Sequence, residues 1–158
     1  MKLNFRSKLY LPLILSWLCL SAMTVWHIHE SREQRLEERK LALKFTTEVG
    51  MSTVKEYAEL AASGAMSVGE AQEQALKHLK SMRYGKDGYY TILNSEPTML
   101  MHPMKPELNG KDLSDMKDPN GFRLFVEFAN IAKTEAAEGF VDYMWPKPGS
   151  PNPEPKIS

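Results

Sequence analysis

Three side chains near the end of the chain have types and a spacing that suit the binding of a small anion. Tyr143, Trp145 and Lys147 lie two residues apart within the stretch GFVDYMWPKPG, from Gly139 to Gly149. In a β-strand, residues at this spacing point to the same face. Two aromatic rings beside one ammonium group are unusual for a dry core, so the stretch predicts one wall of a ligand pocket.

The periodicity of the apolar residues predicts an α+β domain that must position this wall. Helical spacing is found in three segments and strand-like alternation in three others, which gives helices over 30–62, 68–82 and 122–132 and strands over 89–93, 98–102 and 139–149. Ser67 followed by Glu70 is typical of a helix start. A long loop separates the second strand from the third helix, and loops of that length often cover sites.

The first part of the chain reads as a membrane segment. Residues 9–28 carry no formal charge and are long enough, at about 20 residues, to cross the hydrocarbon layer as a helix. Basic residues without any acid precede this run, so we expect residues 1–8 to be cytoplasmic and residues 29–158 to lie outside the membrane. A cleaved signal peptide is the competing interpretation, but the apolar run is longer than usual for one and lacks a good cleavage site.

Composition excludes several classes of partner and chemistry. The 20 basic residues balance the 20 acidic ones, so no general positive field would attract nucleic acid. The only cysteine, Cys19, lies in the apolar run, which excludes an internal disulfide framework. About 130 residues remain beyond the membrane segment, enough for one modest core.

The predicted helix over 30–62 carries two apolar stripes on nearly opposite sides. One contains Leu36, Leu43, Val54, Tyr57 and Ala61, and the other contains Leu41, Phe45, Val49 and Leu60. The second stripe either lies under flanking loops or meets the same helix of another subunit. We favour the second interpretation, which predicts a homodimer through this helix.

Neither a metal site nor a catalytic centre is predicted. Asp112, Asp115, Asp118 and Asn120 invite comparison with a calcium-binding loop, but their order and the lack of a suitably placed glutamate argue against it. No nucleophile motif or histidine pair at metal spacing follows the apolar run. We therefore expect neither enzymatic activity nor a cofactor.

Five motifs in order give the chain a family resemblance. They are RYGKDGY at Arg83–Tyr89, LMHP at Leu100–Pro103, LNGK at Leu108–Lys111, DPNG at Asp118–Gly121, and GFVDYMWPKPG with the later Pro155-Lys156. Together they resemble the single Cache (sCache_2-like) sensor domain of bacterial methyl-accepting chemotaxis proteins and sensor kinases. The resemblance covers about residues 30–158 and implies a long helix beside a PAS-like antiparallel sheet that binds small molecules outside the cell.

The resemblance also implies a function and a location. We expect a periplasmic ligand-sensing domain of a chemoreceptor in the inner membrane, binding a small carboxylate. The alternatives are the sensor of a histidine kinase or diguanylate cyclase, or a stand-alone exported binding protein. The family continues into further strands and an output module, so we expect the sheet to be incomplete at the C-terminus and the chain to be a fragment or a truncated gene.

The predicted ligand site combines residues from several elements. Lys147 would supply charge, Tyr143 and His102 would donate hydrogen bonds, and Arg83 would add a bidentate contact. The apolar part of the ligand would contact Trp145, Tyr90 and Phe125, although core packing is an equally good interpretation for Tyr90 and Phe125. Thr91 stands where many relatives carry a bulky aromatic residue, which predicts a wider or differently shaped pocket.

Overall fold

The structure is a computed structural model that describes residues 5–158, with side chains described at position 10 and from position 12 onward. Residues 1–4, part of the segment expected to be cytoplasmic, lie outside the described residues. The chain divides into two compact units, one ending at Ala42 and the other comprising Leu43–Ser158. The predicted pocket residues all belong to the second unit.

A single helix, α1, runs from Phe5 to Ala62. The sequence predicted a membrane helix over 9–28 and a helix over 30–62, and the structure joins the two in one helix, since neither proline nor glycine stands between them. Within α1, the range Pro12–Ala62 is long and apolar enough to cross a membrane, by length and composition.

The two predicted stripes of α1 differ in burial. Leu43, Val54, Tyr57 and Ala61 are half-buried, whereas Leu41, Phe45 and Val49 are more than half exposed. Leu36 and Leu60 are also exposed. From Leu43 onward the first stripe is therefore the one that packs on the domain, as helical periodicity predicts.

The second helix, α2, spans Val68–Ser81 and begins where the sequence predicted. The Ser67 hydroxyl accepts a hydrogen bond from the Glu70 amide at 3.2 Å, and the Glu70 carboxylate accepts one from the Ser67 amide at 3.0 Å. This reciprocal capping satisfies two amides that no helical carbonyl can reach. It also holds the pKa of Glu70 below its ordinary value, chiefly through the Ser67 side chain.

Three antiparallel hairpins follow. β1 (Arg83–Tyr84) pairs with β2 (Gly88–Tyr89), β3 (Ile92–Leu93) pairs with β4 (Met99–Met101), and β5 (Asp142–Pro146) pairs with β6 (Pro153–Ile157). The predicted strand over 89–93 is thus two short strands interrupted at Tyr90 and Thr91. The third predicted strand is confirmed as β5.

The strand β6 was not predicted. Its sequence PEPKI contains two prolines, which lack the amide that a ladder needs, so its composition does not indicate a strand. The strand nevertheless pairs along the whole of β5, from Asp142 opposite Ile157 to Pro146 opposite Pro153. Val141 and Ser158 extend the pairing by two backbone hydrogen bonds of 2.8 and 3.1 Å.

The long loop between β4 and β5 contains a short 3₁₀ turn at Pro106–Leu108 and the helix α3, Leu124–Ala132. The predicted helix began at Phe122, which instead lies outside the helix and is 38% exposed. α3 buries Leu124, Phe125 and Ala129. The core joins these elements through one cluster of buried side chains: Met99, Leu108, Leu113, Leu124, Phe125, Val141, Tyr143 and Trp145.

We expect Gly50→Ala to lower the melting temperature of the chain. A Cβ at Gly50 of α1 would lie 2.8 Å from Cε1 of Tyr90, whose hydroxyl donates to the Thr46 carbonyl oxygen at 2.7 Å. Overpacking of this kind costs about 1–3 kcal/mol, more than the gain in helix propensity. Thermal unfolding followed by circular dichroism in detergent measures the change.

Gly69→Ala in α2 is the matched control, because no heavy atom apart from its chain neighbours and the backbone of its own helix lies within 4 Å of its Cβ position. Its melting temperature should be unchanged or higher. Equal effects of the two substitutions would contradict the packing of Tyr90 on α1.

Candidate functional site

A small cavity of about 30 Å³ lies among β2, β5, β6 and α3. That space holds roughly one or two water-sized groups. Aromatic and aliphatic side chains make up most of its wall, together with an imidazole, an ammonium group and hydroxyl groups. The lining residues are Tyr89, Thr91, His102, Leu124, Phe125, Phe128, Tyr143, Trp145, Lys156 and Ser158.

The aromatic walls hold one another by edge-to-face contacts. Phe125 of α3 meets Trp145 of β5 with ring centroids 5.6 Å apart and planes at 88°, and Phe128 meets Tyr143 at 5.5 Å and 84°. Such geometry places the positive edge of one ring on the negative face of the other. One side of the cavity is therefore built from α3 and the facing side from β5.

His102 follows β4 and is 2% exposed. Its Nδ1 accepts hydrogen bonds from the amides of Met104 at 3.2 Å and Lys105 at 3.0 Å. A nitrogen that accepts from amides carries no proton, so the proton of the neutral ring is assigned to Nε2 on the opposite edge. His102 is thereby oriented as a hydrogen-bond donor.

Burial keeps this imidazole neutral. The pKa of His102 is lowered from 6.5 to about 4, first by burial and then by the positive charges of Lys156 and Lys105. Its ring stacks at a tilt against Tyr89 and Trp145, with centroids 5.3 and 6.0 Å away. Above pH 5 the residue therefore offers an N–H group rather than a charge.

Lys156 of β6 supplies the cation of the cavity. Its Nζ lies 4.2 Å from the ring centroid of Tyr89. Burial lowers the pKa of Lys156 from 10.5 to about 8, so the ammonium form still predominates at neutral pH. A partly desolvated ammonium group over an aromatic face attracts an anion more strongly than a solvated one.

Hydroxyl groups complete the polar part of the wall. The Tyr143 hydroxyl and the Ser158 Oγ lie 2.7 Å apart and share a hydrogen bond. Burial raises the pKa of Tyr143, so its hydroxyl keeps the proton. Burial also raises the pKa of Tyr89, an effect that a hydrogen bond from the Trp145 indole partly offsets.

Four of the seven predicted site residues meet at this cavity: His102, Phe125, Tyr143 and Trp145. The strands do not bring them together by direct pairing, because β4 pairs with β3 while β5 pairs with β6. His102 instead reaches the cavity through the turn after β4. Their binding roles stay predictions.

The other three predicted residues lie elsewhere. Lys147 follows the last residue of β5, in a turn where its carbonyl accepts from the Ser150 amide, and its exposed ammonium pairs with Glu154. The alternation that predicted a shared face with Trp145 ends at Pro146. Tyr90 packs on α1, and the Arg83 guanidinium donates to the carbonyls of Lys80 and Met82 at the end of α2.

Sequence reasoning missed Lys156, Tyr89, Ser158, Leu124 and Phe128 as cavity residues. For Lys156 a signal existed, since Pro155-Lys156 belongs to the motif series. The register of β5 and β6 places it opposite Tyr143, and directly paired residues of antiparallel strands share a face. For Tyr89 the signal was strand-like alternation, which places Tyr89 and Thr91 on one face and Tyr90 on the other.

No group of three or more His, Cys, Asp or Glu side chains that could hold a metal ion occurs in the described part of the chain. Asp118, one of the residues compared with a calcium loop, uses its carboxylate to accept backbone hydrogen bonds.

Comparison with known proteins identifies the domain. The Cache domain model dCache_2 matches residues 22–158. The chain belongs to the Cache domain family. The family resemblance and the predicted fold class, a long helix beside an antiparallel α+β domain, are thereby confirmed.

Relatives and solved structures agree with this assignment. The chain is 31% identical over 156 residues to the methyl-accepting chemotaxis protein McpP of Pseudomonas putida, covering 99% of this chain and 28% of McpP. A solved periplasmic sensor domain of a chemotaxis protein matches with a TM-score of 0.74 and 43% identity, over 77% of this chain and 84% of that one.

A second solved structure concerns ligand recognition. It is a Cache chemosensory domain reported for its recognition of carboxylic acids, and it matches with a TM-score of 0.67 and 40% identity, over 70% of this chain and 74% of that one.

We expect His102→Asn to remove an acid sensitivity of folding. The folded-state pKa of about 4 lies below the ordinary 6.5, so the unfolded chain binds more protons between these values. Lowering the pH from 7 to 5 should therefore reduce the free energy of unfolding by about 2 kcal/mol through this residue. Asparagine keeps an acceptor near the Nδ1 position but does not titrate.

Urea denaturation of both proteins at pH 5 and pH 7 measures this difference. His78→Asn, at an exposed position of α2, removes a histidine outside the cavity and serves as the control. The same loss of stability on acidification in the native chain and in His102→Asn would disprove the buried neutral imidazole.

Proposed function

We propose that this chain is the ligand-sensing part of a membrane-bound chemoreceptor and that its cavity binds a short-chain carboxylate. The observation that supports this most strongly is that the Lys156 ammonium group and a neutral His102 line the same aromatic cavity. The carboxylic acid recognition reported for a Cache domain of 40% identity points to the same ligand class.

The polar residues divide the recognition of a carboxylate among them. Lys156 would neutralise the charge, while His102 Nε2–H and the hydroxyl pair of Tyr143 and Ser158 would donate hydrogen bonds to the oxygens. Hydrogen bonds to an ionised acceptor are stronger than those between neutral groups. The rings of Phe125 and Trp145 would then surround the alkyl part.

The size of the cavity limits the ligand. A space that holds only one or two water-sized groups favours the shortest acids over a large dicarboxylate or an aromatic acid. Thr91 contributes a short side chain to the lining, where a bulkier residue would reduce the space further.

A route from the cavity to the long helix runs through three consecutive residues. Tyr89 and Thr91 line the cavity, whereas the Tyr90 hydroxyl donates to the Thr46 carbonyl of α1 and its ring lies against Gly50. A ligand that shifts Tyr89 or Thr91 would move Tyr90 with them. We propose this contact as the point where ligand binding biases α1.

Lys156→Met should weaken carboxylate binding strongly, whereas Lys147→Met should leave it nearly unchanged. Removing a partly buried charge partner costs at least about thirtyfold in affinity, while an exposed charge contributes little. Calorimetric titration of the purified full chain in detergent with acetate, propionate, pyruvate and butyrate measures the dissociation constants, and propionamide serves as the uncharged control.

If none of these acids binds the native chain, the proposed ligand class is wrong. If Lys147→Met has the larger effect, the ligand lies at the turn after β5 rather than in the cavity.

We propose further that residues 9–28 anchor the chain in the inner membrane, with the domain in the periplasm. At position 10 and from position 12 onward, where side chains are described, the large apolar side chains of this stretch are exposed, as lipid contact requires, and Trp26 lies near its outer end. The exposed stripe of Leu41, Phe45, Val49 and Leu60 would meet a second copy of the chain. Apolar side chains at helical spacing on an exposed rod are typical of such a contact.

A cysteine in this stripe should form disulfide-linked dimers. In a Cys19→Ser background, Val49→Cys should cross-link under mild oxidation in membranes, because the two copies of α1 would place this position face to face. Lys55→Cys, exposed on another side of α1, is the matched control and should cross-link much less. Gel electrophoresis without reductant measures both, and equal yields would rule out this interface.

A further inference from the structure

Asp118 carries a buried carboxylate that lies outside the cavity. Its hydrogen bonds reach both aromatic sides of the cavity. It lies in the loop before α3 and is 7% exposed. Its Oδ1 accepts hydrogen bonds from the amides of Asn120 and Phe122, both at 2.9 Å. Its Oδ2 accepts a third from the Met144 amide of β5 at 3.0 Å.

The first two bonds fix the approach to α3. The backbone adds two more, from the Asp118 amide to the Phe122 carbonyl and from the Gly121 amide to the Asp118 carbonyl, each 2.9 Å. Gly121 has φ 82°, a conformation that residues with a side chain rarely adopt. The chain leaves this closed turn two residues before Leu124, the first cavity residue of α3.

The third bond connects the turn to the facing side of the cavity. Met144 lies between Tyr143 and Trp145, so its amide belongs to the short segment that carries both rings. One carboxylate thus joins the start of α3 to the middle of β5. The same two elements bring Phe125 and Trp145 into contact at 5.6 Å.

The charge state of Asp118 suits this role. The Met144 amide is the main cause that holds the pKa of Asp118 below its ordinary value, with smaller contributions from the Phe122 and Asn120 amides. An ionised carboxylate is acceptor-only and can serve all three amides at once. An asparagine of the same shape has one oxygen and turns an N–H group toward a donor.

We propose that Asp118 is a positioning residue for the ligand cavity. Its carboxylate fixes the separation of α3 and β5 and thereby the size of the carboxylate that fits in the cavity lined by Phe125 and Trp145. This proposal rests on the proposed function, because it assigns a size limit to the same cavity. It also gives the DPNG motif a role that does not involve a metal ion.

The test compares Asp118→Asn with Asp112→Asn. Asp112 is the matched control, because its Oδ1 accepts from the Ser114 amide at 2.8 Å within an exposed turn of the same loop. Dissociation constants for acetate, propionate and butyrate are measured on the full chain well below its melting temperature. Asp118→Asn should weaken the binding of the preferred acid by about tenfold. It should also reduce the difference in affinity among the three acids, because a cavity wall that is no longer held in place does not select by size.

Asp112→Asn should stay within twofold of the native chain for every acid. A lower melting temperature of Asp118→Asn with unchanged affinities and unchanged size preference would overturn the proposal and leave Asp118 with a structural role alone.

A measurement on the native chain covers the case in which Asp118→Asn does not fold. Amide resonances of the ¹⁵N-labelled chain are recorded with and without propionate. The Met144 and Phe122 amides should shift on binding, because the ligand presses on the walls that they join, while the Ser114 amide should not. Unshifted Met144 and Phe122 amides would overturn the proposal.

A native chain that binds none of the acids would disprove the proposed function without deciding the role of Asp118. The environment of Trp145 then decides it, in a background with Trp17→Phe and Trp26→Phe. Acrylamide should quench Trp145 fluorescence more strongly in Asp118→Asn than in Asp112→Asn. Equal quenching would show that Asp118 does not hold the wall in place.

Discussion

The pairing of β5 with β6 is the constraint on which the candidate site depends. It places Lys156 opposite Tyr143 and brings Ser158 within hydrogen-bond distance of the Tyr143 hydroxyl. Without this register the aromatic wall would remain, but it would lack a cation and a hydroxyl partner. A segment with two prolines therefore determines the chemistry of the cavity, because a ladder fixes which side chains share a face.

The cavity separates its charge from its hydrogen-bond donor. His102 is kept neutral by burial and by the nearby lysines, and the turn of Met104 and Lys105 assigns its proton to Nε2. Lys156 keeps its proton at neutral pH despite partial burial. Lys156 thus supplies the charge, and the N–H group of His102 supplies a directed hydrogen bond. This combination favours a planar anion over a neutral molecule.

Residues around the cavity also connect it to the rest of the domain. Tyr89 and Tyr90 are neighbours in the chain but face opposite ways, one toward the cavity and one toward α1. Asp118 connects the two aromatic sides through backbone amides. The contacts between the cavity and α1 are a hydrogen bond and close packing, as the proposed transmission of ligand binding to α1 requires.

Much of this protein is determined by the sequence alone. Helical periodicity and the capping residues Ser67 and Glu70 predicted α2, and alternation predicted β4 and β5. These elements can be predicted because their signals depend on residues only a few positions apart. The ordered motifs indicated the Cache domain. The spacing of the aromatic residues indicated that Tyr143 and Trp145 line a cavity.

Only the tertiary structure decided which lysine belongs to the cavity. Lys147 and Lys156 follow prolines in similar sequence contexts, yet one lies in an exposed turn and the other over the Tyr89 ring. Which lysine lines the cavity depends on where β5 ends and on the register of β6, a strand that its prolines make hard to predict. Local patterns cannot specify such long-range pairing, since its energy comes from side chains that are distant in the chain.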